Sequence, residues 1–221
     1  MTSTLPARPP AAGGVAPTAL VSASALRANA LRAAAAHAAD GSVGARTGDV
    51  LAGDAWGHGA QWVASVLSDL GVDAETLDAA TVYGLAGSDA RPVMSLRGRV
   101  LGTKPLLRGE GVSYGYTHRA AHDTTVALVT GGYAQGVVRA LGNAVTVAID
   151  GGRHPVVGRV AMDVCVVDVG ETAVGRGAEV VFFGDPADGH PSLREWTDAT
   201  GLTAAEIVAA VGVRADRRVS A

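Results

Sequence analysis

Apolar residues recur with a helical period in the first part of the chain and with a strand period in the rest. Four of them fall at i, i+3, i+4 and i+7 and would form one stripe on a helix: Val63, Val66, Leu67 and Leu70. An Ala- and Leu-rich stretch from Val21 also favours a helix, and Gly41 and Gly71 are suited to end the two helices. A short apolar run at residues 49–52 predicts a strand between them. This order of elements is typical of part of an α/β fold.

From Met94 onwards the period changes to two, as in half-buried strands. The alternating positions are apolar Met94, Leu96 and Val100 with basic Arg97 and Arg99. An Asp-Gly-Gly turn at residues 150–152 predicts a hairpin between the apolar runs 145–149 and 155–160, because glycine supplies the positive φ of a tight turn. Two pairs with capping-box spacing predict two closing helices: Ser192 with Glu195, and Thr203 with Glu206.

The composition narrows the class of protein. Of the 221 residues 48% are hydrophobic, which is enough to build a core. A net charge of −3 argues against nucleic acid as the main partner, since phosphate binding needs clustered Lys and Arg. Cys165 is the only cysteine, so a reducing compartment fits. We find neither a signal peptide pattern nor an apolar run near the roughly 20 residues that span a membrane, and we expect a cytoplasmic protein.

Motifs for other chemistry are missing from the sequence. It has no phosphate-binding glycine loop, no cysteine pair for zinc and no acidic calcium loop. His118 and His122 are four residues apart but lie in a loop-rich segment, so we expect no metal site. Lys104 is the only lysine in the chain, which limits where a Schiff base could form.

Four segments carry a resemblance to a known family. They read GEGVSYGYTHRA (109–120), GGYAQGVVRALGN (131–143), PVVGRVAMDVCVVDV (155–169) and VGRGAEVVFFG (174–184). In this order and spacing they resemble the C-terminal β-domain of bacterial alanine racemases, and the resemblance extends from about Pro92 to the C-terminus. It implies a closed six-stranded Greek-key β-barrel, whose closure would remove exposed strand edges.

The first part of the chain resembles only pieces of the same family's barrel domain. Asp54-Ala55 and residues 57–59 match the segment after the first barrel strand, with Trp56 in place of a tyrosine. Residues 82–85 resemble the last barrel strand. A (β/α)₈ barrel needs about 200 residues or more, so a full barrel does not fit before Pro92. We predict an α+β protein with a disordered tail (1–17), a truncated α/β remnant of a TIM barrel (18–91) and a β-domain (92–221).

The resemblance implies site residues in the β-domain. Alanine racemases use pyridoxal phosphate as an electron sink, and a tyrosine from the second subunit of a dimer acts as proton acceptor. Tyr114 matches that catalytic tyrosine. Met162 matches a position whose backbone amide contacts the substrate carboxylate, and Tyr133 matches a tyrosine near the substrate entrance. Each of these side chains also fits an ordinary packing role.

The residues that hold the cofactor in the family are missing here. Ala52 stands where the resemblance places the Schiff-base lysine, and Ala205 stands where it places the tyrosine that holds the cofactor phosphate. The arginine that pairs with the pyridine nitrogen falls near Leu77. Lys104 lies in the β-domain, away from the expected cofactor position. We therefore expect no cofactor on this chain alone, although the family binds pyridoxal phosphate.

Several functions are compatible with these observations. The chain is predicted to be alanine-racemase-like but inactive alone, because the lysine and most of the barrel are missing. It could dock on a full-length racemase as a binding or regulatory subunit, or form a homodimer. An active pyridoxal-phosphate-dependent racemase and a decaying paralogue without a role are the remaining alternatives.

Overall fold

The computed structural model describes residues 16–41, 44–85 and 87–221 of the chain. The strands are β1 (Thr18–Ser22), β2 (Met94–Leu106), β3 (Gly111–Val112), β4 (His118–Arg119), β5 (Thr124–Thr130), β6 (Thr146–Ile149), β7 (Gly152–Val157), β8 (Val164–Asp168), β9 (Glu179–Phe183) and β10 (Asp216–Ser220). The helices are α1 (Ala23–Asp40), α2 (Thr47–Leu51), α3 (Asp54–Gly57), α4 (Ala60–Leu70), α5 (Ala79–Tyr83), α6 (Leu193–Thr200) and α7 (Ala204–Arg214). Except for its last two residues, the predicted tail (1–17) lies outside the described residues.

Six antiparallel strands close into a barrel in the order β2, β5, β8, β7, β6, β9 and back to β2. Inward-facing side chains of the strands fill its interior, as Cys165 and Val167 of β8 show with at most 1% of their surface exposed. Asp150 and Gly151 both have positive φ and join β6 to β7. The structure confirms the predicted closed β-barrel and the hairpin at residues 150–152.

The 13-residue strand β2 connects the barrel to the rest of the chain. Its first half pairs with β1 on one side and with β9 on the other, and its second half pairs with β5. β10 pairs with β1 in the parallel direction. The last described strand therefore lies beside the first. Two register shifts, between Leu96 and Arg97 and between Val100 and Gly102, let one strand serve these different neighbours.

The predicted helices are present, although the first begins at Ala23 rather than Val21, because Val21 and Ser22 belong to β1. The Ser22 hydroxyl caps α1 by accepting a hydrogen bond from the Ala25 amide at 3.2 Å, and Gly41 ends the helix in the left-handed conformation. In α4, the buried face contains Val63, Val66 and Leu67. Gly71, also left-handed, ends α4. The two closing helices α6 and α7 both start with the predicted capping boxes.

The predicted strand at residues 49–52 is helical instead, and the stretch 82–85, which resembles a barrel strand, is not a strand. Residues 49–52 fall on α2 and its C-terminal cap, and the stretch 82–85 contains the last two residues of α5 and its cap. A strand needs neighbouring strands to satisfy its backbone groups, whereas a helix satisfies them within itself. In the described residues, the only sheet-like pairing near these segments is one isolated bridge between Arg46 and Asp78. Without parallel barrel neighbours, neither segment forms a strand.

One continuous apolar core joins the helices to the barrel. It includes buried residues from both predicted parts of the chain, such as Leu26 and Tyr83 with Phe182 and Trp196. The division into two domains at residue 91 remains a prediction. At one edge of this core, α3 crosses α7 closely because Gly57 and Gly212 meet without side chains.

This crossing gives a stability prediction. A Cβ on Gly212 would overlap the backbone of Gly57, so Gly212→Ala should lower the free energy of unfolding by about 1–3 kcal/mol. Helix propensity alone predicts the opposite sign, a gain of about 1 kcal/mol. Urea unfolding of both proteins measures the difference. Gly175→Ala is the control, because a Cβ there meets nothing within 4 Å; a stabilised Gly212→Ala protein would contradict the crossing.

Candidate functional site

Three loops meet at one end of the barrel and form what we call the three-loop surface: residues 111–116, 131–136 and 158–163. The Ser113 hydroxyl donates to the Arg159 carbonyl at 2.6 Å, which joins the first loop to the third. The Tyr133 and Ala134 amides donate to the carbonyls of Ala161 and Met162 at 3.0 and 2.9 Å, which joins the second to the third. The loops come from three of the four segments that resemble the family, so these three segments are neighbours in the fold.

A buried side chain fixes the contact between the second and third loops. Gln135 is 6% exposed. Its Oε1 accepts from the Gly132 amide at 3.0 Å, and its Nε2 donates to Asp163 Oδ1 at 2.8 Å. Gly132 itself has no room for a Cβ, which would overlap the carbonyls of Ala161 and Met162. The backbone at Met162 is thus held in place although the Met162 side chain is 55% exposed.

Two of the three tyrosines of this surface are exposed. Tyr114 is 87% exposed and Tyr116 is 64% exposed, whereas Tyr133 is half-buried. Ser113, Gly115 and Tyr116 have positive φ, so residues 113–116 form a tight turn that lifts Tyr114 away from the barrel. A non-glycine residue in the left-handed region is uncommon and marks a conformation held by its surroundings. Here the bond from Ser113 to Arg159 supplies that restraint.

Arginines lie beside each tyrosine of the surface. The Arg139 guanidinium lies 4.2 Å from the centre of the Tyr133 ring, and that of Arg119 lies 5.8 Å from the Tyr116 ring, both within the range of cation–π contacts. The Arg159 guanidinium lies next to Gly115, adjacent to Tyr114. The surface therefore combines exposed aromatic rings with positive charge.

A second group of unusual residues lies across α7 from these loops. Asp54, Ala55 and Trp56 have φ values of 55, 54 and 48°, so the short element α3 is a left-handed turn. Arg217 holds it from β10, with its Nη1 2.6 Å from Asp54 Oδ2 and 2.8 Å from the Gly57 carbonyl. This ion pair and the amide of Ala60, which donates to the Asp54 carboxylate, hold the pKa of Asp54 below its usual value despite partial desolvation.

His58 is buried beneath this turn and stacks on Tyr83. The ring centres are 4.5 Å apart and the side chain is 1% exposed. The Ala55 carbonyl lies 2.8 Å from His58 Nδ1 and can only accept, so Nδ1 carries the proton. Burial lowers the pKa of His58 to about 4 and raises that of Tyr83. Of the two polar residues in this family-like segment, Asp54 accepts a hydrogen bond from the first amide of α4, and His58 is a core residue.

The positions that the sequence resemblance assigns to the family's cofactor residues have no polar group that could hold a cofactor. Ala52 is an exposed residue that caps α2, Ala205 lies in the first turn of α7, and Leu77 is fully buried in the core. Lys104 lies on β2, an exposed residue of the barrel wall. Cys165 is a buried thiol whose pKa is raised by burial to about 12.

Among the residues that the structure describes, no cluster of three or more His, Cys, Asp or Glu side chains is arranged to hold a metal ion. Within the same ranges, no helix has the length and hydropathy to cross a membrane.

The fold and surface define a class: a closed β-barrel domain that presents loop side chains outward, preceded by a small helical part. The family model for the alanine racemase C-terminal domain matches residues 93–219. The chain therefore belongs to the alanine racemase family, as the sequence segments indicate.

Relatives and solved structures agree with this assignment. The alanine racemase of Mycobacterium leprae is 41% identical over 144 residues, which cover 62% of this chain and 37% of that protein. The structure of the Streptomyces coelicolor A3(2) alanine racemase covers 72% of this chain and 49% of its own, with a TM-score of 0.61 and 31% identity. That of the Bartonella henselae enzyme, with covalently bound pyridoxal phosphate, covers 63% and 40%, with a TM-score of 0.57 and 27% identity. The chain spans about a third of the length of the curated relatives it matches.

The sequence did not indicate several residues that the structure places on or beside this surface. Arg159 and Asp163 lie in the same family-like segment as Met162 (155–169), yet only Met162 was expected at the site. Arg139 follows Tyr133 by six residues. The two side chains meet only because the backbone between them reverses direction in the folded chain. These residues are charged and lie within or beside glycine-rich segments, and that pattern could have indicated them as candidates for the surface.

The buried histidine gives a pH prediction. The folded protein keeps His58 neutral to a pKa of about 4, whereas an unfolded chain protonates it near 6.5. The free energy of unfolding should therefore fall as the pH drops below 6.5, by roughly 3 kcal/mol in total near pH 4.

The variant His58→Phe keeps a ring against Tyr83 and removes the titrating group. Its loss of stability between pH 6.5 and 4 should be smaller than that of the parent protein, measured by urea unfolding at several pH values. His122→Gln, at an exposed position, is the control and should follow the parent. Equal pH dependence in parent and His58→Phe would show that His58 is not held neutral.

Proposed function

We propose that this chain does not racemise alanine alone and that it docks on a full-length alanine racemase as a binding or regulatory subunit. The observation that carries the proposal is the three-loop surface, where Tyr114 is 87% exposed on a restrained turn. Family membership gives the surface its expected partner, the barrel of another racemase subunit.

The residues present do not fit pyridoxal phosphate. The family reaction needs a lysine amine to hold the cofactor, and Ala52 offers only an exposed methyl group at that position. Ala205 has no hydroxyl for the phosphate, and Leu77 is an apolar core residue. Lys104 is the only lysine, and it lies on strand β2 of the barrel wall. These substitutions support an inactive chain and argue against the alternative of an active racemase.

The chemistry of the three-loop surface supports docking. Tyrosine, arginine and methionine are enriched at protein–protein interfaces, because they combine large contact area with polar groups. Tyr114, Met162 and Arg159 bring these three side-chain types together on adjoining loops. The backbone bonds between the loops hold them in place before binding, which lowers the entropy lost on association.

In the docked complex, the partner would supply the cofactor with its lysine and this chain would supply Tyr114. The Tyr114 hydroxyl would then meet the partner's site from the side opposite to that lysine, which is what a two-base racemisation needs. The proposal requires both proteins to share the cytoplasm. A homodimer through the same surface is the competing arrangement.

The test is co-purification with the full-length alanine racemase of the same organism, with this chain tagged. We expect a complex that survives gel filtration and is lost in Tyr114→Asp, which places a charge at the centre of the surface. Leu31→Asp is the matched control, since Leu31 is an exposed apolar residue of α1, in the helical part of the chain. No complex, or equal loss in both variants, would contradict docking through this surface.

A rate measurement shows whether Tyr114 takes part in the partner's reaction or the chain only binds the partner. If Tyr114 acts in the partner's site, Tyr114→Phe should bind as the parent does but change the partner's alanine racemisation rate by about tenfold or more, the range for loss of a general base. Tyr116→Phe serves as control. Equal rates with the parent and Tyr114→Phe would leave a binding role without a catalytic one.

A further inference from the structure

A groove on the outside of the barrel has no assigned role. It has a volume of about 450 Å³ and lies between β2, β5, β8 and the loop that follows β2. This volume is within the range of small-molecule sites. Its apolar walls come from Leu101, Val112, Leu128 and Val166, and Lys104 lies at its margin.

The strand register explains why apolar side chains face outward here. Directly paired residues of antiparallel strands point to the same face. Gly102 pairs with Leu128, and Leu128 pairs with Val166, so these three positions form one row across the outer face. The intervening Ala127 is fully buried in the barrel interior. Leu128 remains 41% exposed, although part of the outer face around it is covered by the β3–β4 hairpin.

The middle of the groove is open because Gly102 has no side chain. A Cβ on Gly102 would meet nothing within 4 Å, and its backbone is not in the left-handed region. The register shift between Val100 and Gly102 makes Leu101 the extra residue of a bulge, which places its side chain at the groove. The row of apolar side chains therefore has a gap that a ligand could fill.

Lys104 supplies the polar end of the groove. It pairs with Val126, two residue pairs along the strands from Gly102 and Leu128, and therefore lies on the same outer face. Among the described residues, Lys104 is a member of no ion pair. Asp168 lies on the same face one strand further, and its carboxylate accepts hydrogen bonds from the Thr124 hydroxyl and the Gly170 amide.

We propose that this groove binds a small apolar monocarboxylate, such as a medium-chain fatty acid or an aryl carboxylate. The hydrocarbon part would lie over Gly102 between Leu128 and Val166, and the carboxylate would pair with the Lys104 ammonium. An apolar cavity with one unpaired cation selects a ligand with one negative charge at the end of an apolar body. Because Val112 and Ser113 form part of the wall, the ligand would also contact the loop that carries Tyr114.

The test is calorimetric titration of the full chain with octanoate, and with octanol as a neutral probe of the same length. We expect saturable binding of octanoate and weaker binding of octanol. Lys104→Met should weaken octanoate binding about tenfold and leave octanol binding unchanged, because one charge-assisted contact is lost. Arg108→Gln, which removes a nearby exposed cation outside the groove, is the control and should bind octanoate as the parent does.

A second variant fills the groove. Gly102→Leu should abolish binding of both probes while the melting temperature stays at or above that of the parent, since the new side chain enters open space. No saturation with octanoate below about 10 mM would overturn the proposal. Binding that is unchanged in Lys104→Met, or unchanged in folded Gly102→Leu, would also overturn it. If Gly102→Leu does not fold, the comparison of the two probes with Lys104→Met decides alone.

Discussion

The shared pairing of β2 is the constraint on which the rest of the structure depends. This strand bonds to β1 and β9 with its first half and to β5 with its second, and the barrel closes through it. A closed ring leaves no barrel strand with a free edge, so every loop leaves from a fixed point. The bonds among the three loops at one end then set the position of Tyr114, and the bulge at Leu101 shapes the outer groove.

The first part of the chain is mostly helical and is not a full barrel domain. The segments at residues 49–52 and 82–85 lie on the ends of the short helices α2 and α5 and on their caps, and the backbone bonds of a helix need no neighbouring strand. The left-handed turn at residues 54–57 is held from outside by Arg217 and by the close crossing of α3 and α7. The Gly136 backbone packs against Val211 of the same helix, so α7 connects this turn to the three-loop surface.

The sequence predicted the elements that depend on local signals. The caps at Ser192 and Thr203, the left-handed glycines and the turn at residues 150–152 are all present, because each requires only a few neighbouring residues. The strand expected at residues 49–52 is a helix, because strand formation depends on distant partners that the local pattern does not contain. The stacking of His58 on Tyr83 and the contact of Arg139 with Tyr133 likewise arise only in the folded chain.

We propose that the chain presents Tyr114 outward but has no residue to hold the cofactor. The most direct measurement is an absorbance spectrum of the purified protein with equimolar pyridoxal phosphate, followed by borohydride reduction and mass spectrometry. We expect no band that shifts on addition of alanine and no stoichiometric adduct. A stoichiometric adduct on Lys104 or the N-terminal amine, with an alanine-dependent band, would contradict this proposal and identify a racemase that holds its cofactor in a new way.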